Sequence, residues 1–274
     1  VQHQEATMAI ITISRGTYSK GKEIAEKVAQ GLGYECIYRA MLLEASEHFN
    51  IPEIRLVRAL HDAPSVLERF THGKERYIAF IENAFLETVQ KNNVVYHGLA
   101  GHFFLRGVSH GLKVRVIADF EDRVQLEMER ENISADEARH VLKKDDYERR
   151  RWALALYGID TRDPVLYDLV VNIGNMSVNC AVQMICHAAS TPCYKTTPES
   201  QQALDNLVLA SQVKVAVINE WPEIRVSAAE SIVYVDVEAP LAQEATVRDE
   251  ISAIAKTVPG VSEVRVNVRP RVFP

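Results

Sequence analysis

The sequence predicts an α/β protein: a mostly parallel sheet with helices on both faces, followed by a small α-β-β-α-β unit. Three observations carry that expectation. Short β-branched runs alternate with amphipathic stretches through the first 189 residues, the pattern of a parallel sheet built from crossover units. A polar, proline-punctuated segment, "STPCYKTTPES" (190–200), then interrupts the pattern. Beyond it, strictly alternating valines replace the earlier rhythm, which suits strands with one buried face.

Element by element, Ile10, Ile11 and Ile13 read as a buried central strand ending at Ser14. Ile24, Ala25, Val28, Ala29 and Leu32 fall on one face of the following helix, with Gly33 as its C-cap. "YECIY" (34–38) is a second short strand, and a helical region follows through "LLEASEHF", "APSVLERF" and "AFLETV". "NNVVYHG" (92–98) and "LKVRVIA" (112–118) are the next strands, and "EDRVQLEMERE" (121–131) is a charged helix. Ser134-Ala135-Asp136-Glu137 has the form of a capping box; the helix it opens runs through "KKDDYERRRWALALYG" to Gly158. "YDLVVN" (167–172) is a fifth strand and "SVNCAVQMICHA" (177–188) a closing helix.

Boundaries follow at 8–189 for the larger domain, 190–199 for a linker and 200–274 for the smaller domain. In the latter, Leu204, Leu207, Val208, Val215 and Ile218 form a helical stripe. Ile224, Val226 and Ala228 alternate, as do Val233, Val235 and Val237. A helix with Val247, Ile251, Ile254 and Ala255 precedes a last strand at Val264, Val266 and Val268.

The composition restricts the function. The chain has 274 residues, 47% hydrophobic and 25% charged, with a formal net charge of −6 and a pI near 5.9. That balance is ordinary for a globular protein and argues against a basic nucleic-acid surface. No apolar run reaches the length of a membrane span, and no secretory signal pattern opens the chain, where Val1 to Thr7 read as an extension. Cys36, Cys180, Cys186 and Cys193 form no C-x-x-C pair, so the expectation is a reducing cytoplasm without a zinc site.

Residues 16 to 23, Gly-Thr-Tyr-Ser-Lys-Gly-Lys-Glu, lie between the first strand and helix and read G-x-x-x-x-G-K. Such a loop curls backbone N–H groups around a phosphate at the positive end of the helix. Gly16 and Gly21 allow the curl, Lys22 reaches toward β- and γ-phosphates, Ser19 offers a hydroxyl, and Arg15 and Lys20 add positive field. A tight turn with solvated lysines is the alternative. Glu23 stands where a Ser or Thr commonly holds magnesium; a carboxylate binds Mg²⁺ most often through water.

"ITISRGTYSKGKEIAEKVAQGLGY" resembles the start of the cytidylate kinase-like family, and the resemblance continues through "VRVIADFEDRVQLEMERE", "KKDDYERRRW" and "GIDTRDPVLYDLVVNIG". It covers roughly residues 9 to 188. In that family the loop often lacks a Ser or Thr after its last basic residue, so Glu23 is a family trait. The resemblance implies a P-loop nucleoside monophosphate kinase fold with a mobile lid, ATP and Mg²⁺ as cofactors, and transfer to a CMP-like or related small acceptor. It also implies lid roles for Arg130 and for the D-x-x-R pair Asp146 and Arg149, with Arg150 and Arg151 nearby; arginine's planar fork suits phosphate. One departure stands out: where the family carries G-R after the third strand, this chain has "YHGLAGH", placing His97, Gly98, Gly101 and His102 at the acceptor side.

Residues 200 to 271 resemble a BON domain in element order and in the closing "TVPGVSEVRVNV", although the central hairpin "SAAESIVYVDVEA" lacks the usual glycines. That resemblance implies assembly or regulation, and a homo-oligomer is expected. The two functional expectations are thus a phosphotransferase and, alternatively, a nucleotide-binding regulator without turnover.

Overall fold

The computed structural model describes residues 9–15, 20–38, 41, 47–49, 74–98 and 100–270. The expected helices over "LLEASEHF" and "APSVLERF" therefore lie mostly or wholly outside the described residues. Five parallel strands form the first sheet: β1 (Ile10–Arg15), β2 (Glu35–Ile37), β3 (Val94–Tyr96), β4 (Gly111–Ala118) and β5 (Leu169–Ile173), in the order β2-β3-β1-β4-β5. β1 is central because it is apolar on both faces. Ile10 shares a cluster with Val94, Tyr96 and Phe85, while Ile11 and Ile13 share another with Val95, Leu112, Val114 and Val116.

Helices α1 (Gly21–Leu32) and α6 (Val178–Ala189) cover one face through Ile24, Val28, Ala181 and Ile185. α2 (Lys74–Val89) and the single turn α3 (Gly101–Phe104) cover the other through Phe80, Phe85 and Phe104. α3 has no counterpart in the sequence expectations, being too short for periodicity to register. α4 (Phe120–Glu131) and α5 (Ala135–Tyr157) form a helical pair held by its own small core of Val124, Ala138 and Leu142. The expected capping box is present: Ser134 Oγ accepts from Glu137 N at 3.3 Å, and Ser134 N donates to Glu137 Oε2 at 3.0 Å. Gly158 closes α5 in the left-handed conformation.

After residue 197 come α7 (Pro198–Val217), β6 (Arg225–Ala229), β7 (Ile232–Ala239), α8 (Glu244–Ala255) and β8 (Glu263–Pro270), the expected α-β-β-α-β order. β6 and β8 flank β7, antiparallel and parallel respectively. The β6–β7 turn is made by Glu230 and Ser231 with φ of 50° and 69°, a left-handed pair that normally calls for Asn and Gly. Asn206 Oδ1 of α7 accepts from Glu230 N at 3.2 Å, and Ser262 N donates to Ser231 O at 2.9 Å.

The segment expected as a linker leads directly into α7, which lies along α2. Their seam joins Asn83 to Ser211 at 3.1 Å, Gln212 to Glu87 at 2.8 Å and Lys214 to Glu82 at 3.0 Å. One apolar cluster runs from Phe80 and Phe85 through Leu204 and Val208 to Val233 and Val235. Among the described residues no helix is long and apolar enough to cross a membrane. All four cysteines are free thiols.

Candidate functional site

The carboxyl end of β1 meets the N-terminus of α1, at the point where strand order reverses and open α/β sheets take their ligands. Gly16 and Ser19 of the expected loop lie outside the described residues. Lys20 enters α1 with φ 57° and ψ 14°, and its own side chain makes no capping hydrogen bond. The first turn thus brings backbone N–H groups and the positive dipole end to this edge. Gly21 is required by a close approach: a Cβ there would lie 2.7 Å from both Cβ and Cδ of Arg15. The Arg15 side chain is packed across the start of the helix, and only glycine leaves it room.

Lys22 pairs with Glu26 at 3.7 Å and Glu23 with Lys27 at 2.9 Å, both exposed i,i+4 pairs. Such pairs are worth a few tenths of a kcal/mol, so diverting Lys22 to a phosphate costs little. The Glu23 carboxylate is directed along the helix to Lys27.

The long helix α5 returns to this edge. Arg149 Nη1 donates to the Arg15 carbonyl oxygen at 3.4 Å. Tyr38, just past β2, belongs to the same neighbourhood: burial raises its phenol pKa, and the charges of Arg15 and Arg149 oppose the rise. Arg130, at the end of α4, pairs with Glu131 at 2.8 Å and Glu127 at 3.2 Å. Burial raises the Asp145 carboxyl pKa, the Asp146 charge adds to the rise, and the charges of Arg149, Lys144 and Arg130 oppose it. Asp146 takes the guanidinium of Arg123 in two parallel hydrogen bonds, of 3.2 and 2.8 Å. Arg150 pairs with Asp160 at 3.0 Å, and Arg151 lies over the Tyr147 ring.

On the other side of β1, His97 follows β3. It is 6% exposed, and its ring centroid lies 5.3 Å from that of Tyr38. Burial, reinforced by Arg15 and Lys22, lowers its pKa to about 4, so it is neutral at physiological pH. Gly98 is imposed by packing, since a Cβ would lie 2.3 Å from the Tyr96 hydroxyl; at Gly101 it would meet the same ring at 2.6 Å. His102 sits apart from His97, against Phe103 and Tyr167, with the Tyr167 hydroxyl 3.4 Å from its Nε2. Burial, then Lys113 and Arg115, lowers its pKa to about 3. Among the described residues no group of three or more His, Cys, Asp and Glu side chains is placed to hold a metal ion.

Of the residues singled out from sequence, Arg15, Lys20, Gly21, Lys22, Arg149, His97 and Gly98 gather around the ends of β1 and β3. Glu23 and Asp146 are engaged elsewhere, and His102 is at a separate packing site. Sequence reasoning missed Tyr38, although its position directly after a strand beside β3 was a usable signal. It also missed Arg123, which only the pairing of α4 with α5 reveals.

A five-stranded parallel sheet of this order, flanked by helices and with the G-x-x-x-x-G-K sequence between β1 and α1, is the fold of P-loop kinases. A family model described as the cytidylate kinase-like family matches residues 10–175, and the chain belongs to that family. Cytidylate kinase of Pyrococcus horikoshii is 23% identical over 171 residues, spanning 61% of this chain and 81% of the relative. Cytidylate kinase of Pyrobaculum aerophilum is 24% identical over 179 residues, spanning 65% and 90%. Among solved structures, an uncharacterized protein from Eubacterium ventriosum matches with a TM-score of 0.52 at 20% identity, over 67% of this chain and 99% of that one.

Proposed function

We propose that this chain transfers a phosphoryl group from ATP to a nucleoside monophosphate, CMP-like, or to a related small acceptor. The observation that carries the reading is the hydrogen bond from Arg149 to the Arg15 carbonyl. It brings the forked cation of the helical pair to the end of β1, where the G-x-x-x-x-G-K segment begins, within a chain of the cytidylate kinase-like family.

ATP fits the residues present. The left-handed entry at Lys20 presents the first turn of α1 to phosphate oxygens, and Gly21 makes room beside it for the Arg15 side chain; Gly16 and Ser19 are assigned to the same phosphate-binding segment. Lys22 holds the β- and γ-phosphates, and Arg15 adds charge. Arg149 and Arg130 neutralise the moving phosphoryl group, the main demand of this chemistry. Mg²⁺ fits less directly: Glu23 is held by Lys27, so the metal is assigned to nucleotide oxygens and water, as this ion favours. When bound it neutralises phosphate charge. His97 and Gly98 border the acceptor, with His102 behind them; Asp146 acts through its partner.

The test is ADP release from ATP-Mg²⁺ with a panel of nucleoside monophosphates and small hydroxyl compounds. Acceptor-dependent turnover of roughly 1–100 per second is the expected result. A second reading, a nucleotide-binding regulator, is favoured by the neutral buried histidines where the family has an acceptor arginine; ATP binding with no turnover across the panel would select it. For residues 200–274 we propose a BON-like module that mediates assembly into a homo-oligomer, checked by light scattering of the full chain with and without ATP.

A further inference from the structure

Arg123 has no role in the reading above, yet it is the most deeply placed cation of the helical pair. Its side chain is 8% exposed, and its guanidinium lies 5.3 Å over the Phe120 ring. Its backbone is anchored at the exit of β4. Asp119 caps α4, with its carboxylate accepting from Glu121 N at 2.8 Å, and Arg123 N donates to Asp119 O at 3.2 Å. From that anchor Arg123 grips Asp146 of α5 with both arms of its fork, Nη1 to Oδ1 and Nη2 to Oδ2. Arg149 follows Asp146 by three residues on the same helix, so the two share a face about 4.5 Å apart along the axis. Arg149 reaches the carbonyl of Arg15, and β1 pairs with β4 in register, Arg15 opposite Val116. The connections form a closed ring: β4, Arg123, Asp146, Arg149, Arg15 and back to β4.

We infer that Arg123 and Asp146 are positioning residues: their forked pair sets the rotation of α5 about its axis, and so aims Arg149 at the phosphate end of β1. The inference rests on the phosphotransferase reading for its effect on turnover, but not for its effect on α5. A bidentate arginine–carboxylate pair resists rotation because both bonds lie in one plane; an ammonium in the same place makes a point contact that does not. The pair is half-buried, with Asp146 38% exposed; such ion pairs are poor sources of net stability, their Coulombic gain being offset by desolvation on the buried side and by solvent screening on the exposed one. Fixing an arrangement is the role that the geometry leaves. It also gives Asp146 a duty other than touching substrate.

The experiment uses the full chain and three variants: Arg123→Lys, Asp146→Asn, and the exchange Arg123→Asp with Asp146→Arg. ATP affinity, turnover with the best acceptor, and ATP-induced hydrogen-exchange protection of residues 144–152 are measured on each. Both single variants should lose at least about tenfold in turnover, as expected for a misplaced transition-state group, with ATP affinity changed less than about twofold. Protection of α5 by ATP should fall with turnover, and the exchanged pair should recover both. Thermal unfolding separates this from general damage: recovery of the midpoint in the exchanged pair without recovery of α5 protection overturns the inference. Wild-type protection in Arg123→Lys also overturns it, as does a parent chain whose α5 shows no response to ATP. If no acceptor supports turnover in the parent, the phosphotransferase reading fails, while the protection measurement still decides the role of the pair.

Discussion

Lys22 meets Glu26 at 3.7 Å, with both side chains more than half exposed, so its removal should leave the fold intact and act on ligand alone. Lys22→Ala is expected to weaken ATP binding by about 1.5–3 kcal/mol, the worth of a charge-assisted contact, with an unchanged ligand-free melting temperature; a thermal-shift titration reads both. Arg149→Lys keeps the charge and loses the fork, so single-turnover rates should fall much further than equilibrium ATP affinity. Gly98→Ala tests packing through its effect on stability. The new Cβ would stand 2.3 Å from the hydroxyl of the fully buried Tyr96, and overpacking of this kind costs about 1–3 kcal/mol, measurable by urea unfolding. G-x-x-x-x-G-K was legible as a string, but the reason for its second glycine was not: the Arg15 side chain across Gly21 is a contact between separate elements.

The strands and helices were largely readable because each buries one side and its periodicity shows. β1, β4, α1 and α5 fall close to where the alternation, the C-cap glycines and the Ser134 capping box put them. α3 was invisible, since four residues carry no period. The β6–β7 hairpin was legible as two strands, but its turn residues break the rule that would have announced it. Glu230 and Ser231 hold positive φ without glycine, a conformation costing on the order of 1 kcal/mol per residue. Ser262, just before β8, and Asn206 of α7 supply compensating hydrogen bonds. Ser231→Gly should therefore raise stability by about 0.5–1 kcal/mol in chemical denaturation, since the Ser231 carbonyl bond to Ser262 is retained.

For the molecule taken together, the continuous cluster from Phe80 to Val235 and the α2–α7 seam join the two sheets through one packed core, which predicts a single unfolding unit. Scanning calorimetry of the full chain should show one transition, and a chain cut after residue 197 should unfold at a lower temperature. Acid stability follows from the buried histidines. His97 and His102 have folded pKa values of about 4 and 3, against 6.5 for the free group. As pH falls below about 6.5, the unfolded chain takes up protons that the folded chain refuses. Stability is thus fully present above that value and declines as pH drops toward 4. His102→Gln removes one titrating group and should flatten that decline, measured as melting temperature against pH.

What the sequence by itself determined is the order of the strands and longer helices, the G-x-x-x-x-G-K string between β1 and α1, and the family signature of the helical pair. Each depends on neighbours within a turn or a strand, where local periodicity and capping chemistry act. Only the tertiary structure decided which charged residues work together. Asp146, given a lid role with Arg149 by the family resemblance, is gripped by Arg123 on another helix, and His97 and His102, five residues apart, occupy separate environments. Likewise, the segment read as a linker leads into a helix that shares the core of the larger sheet. Partners far apart in the chain are chosen by which side chains are driven into the same low-dielectric space, and no local pattern encodes that choice.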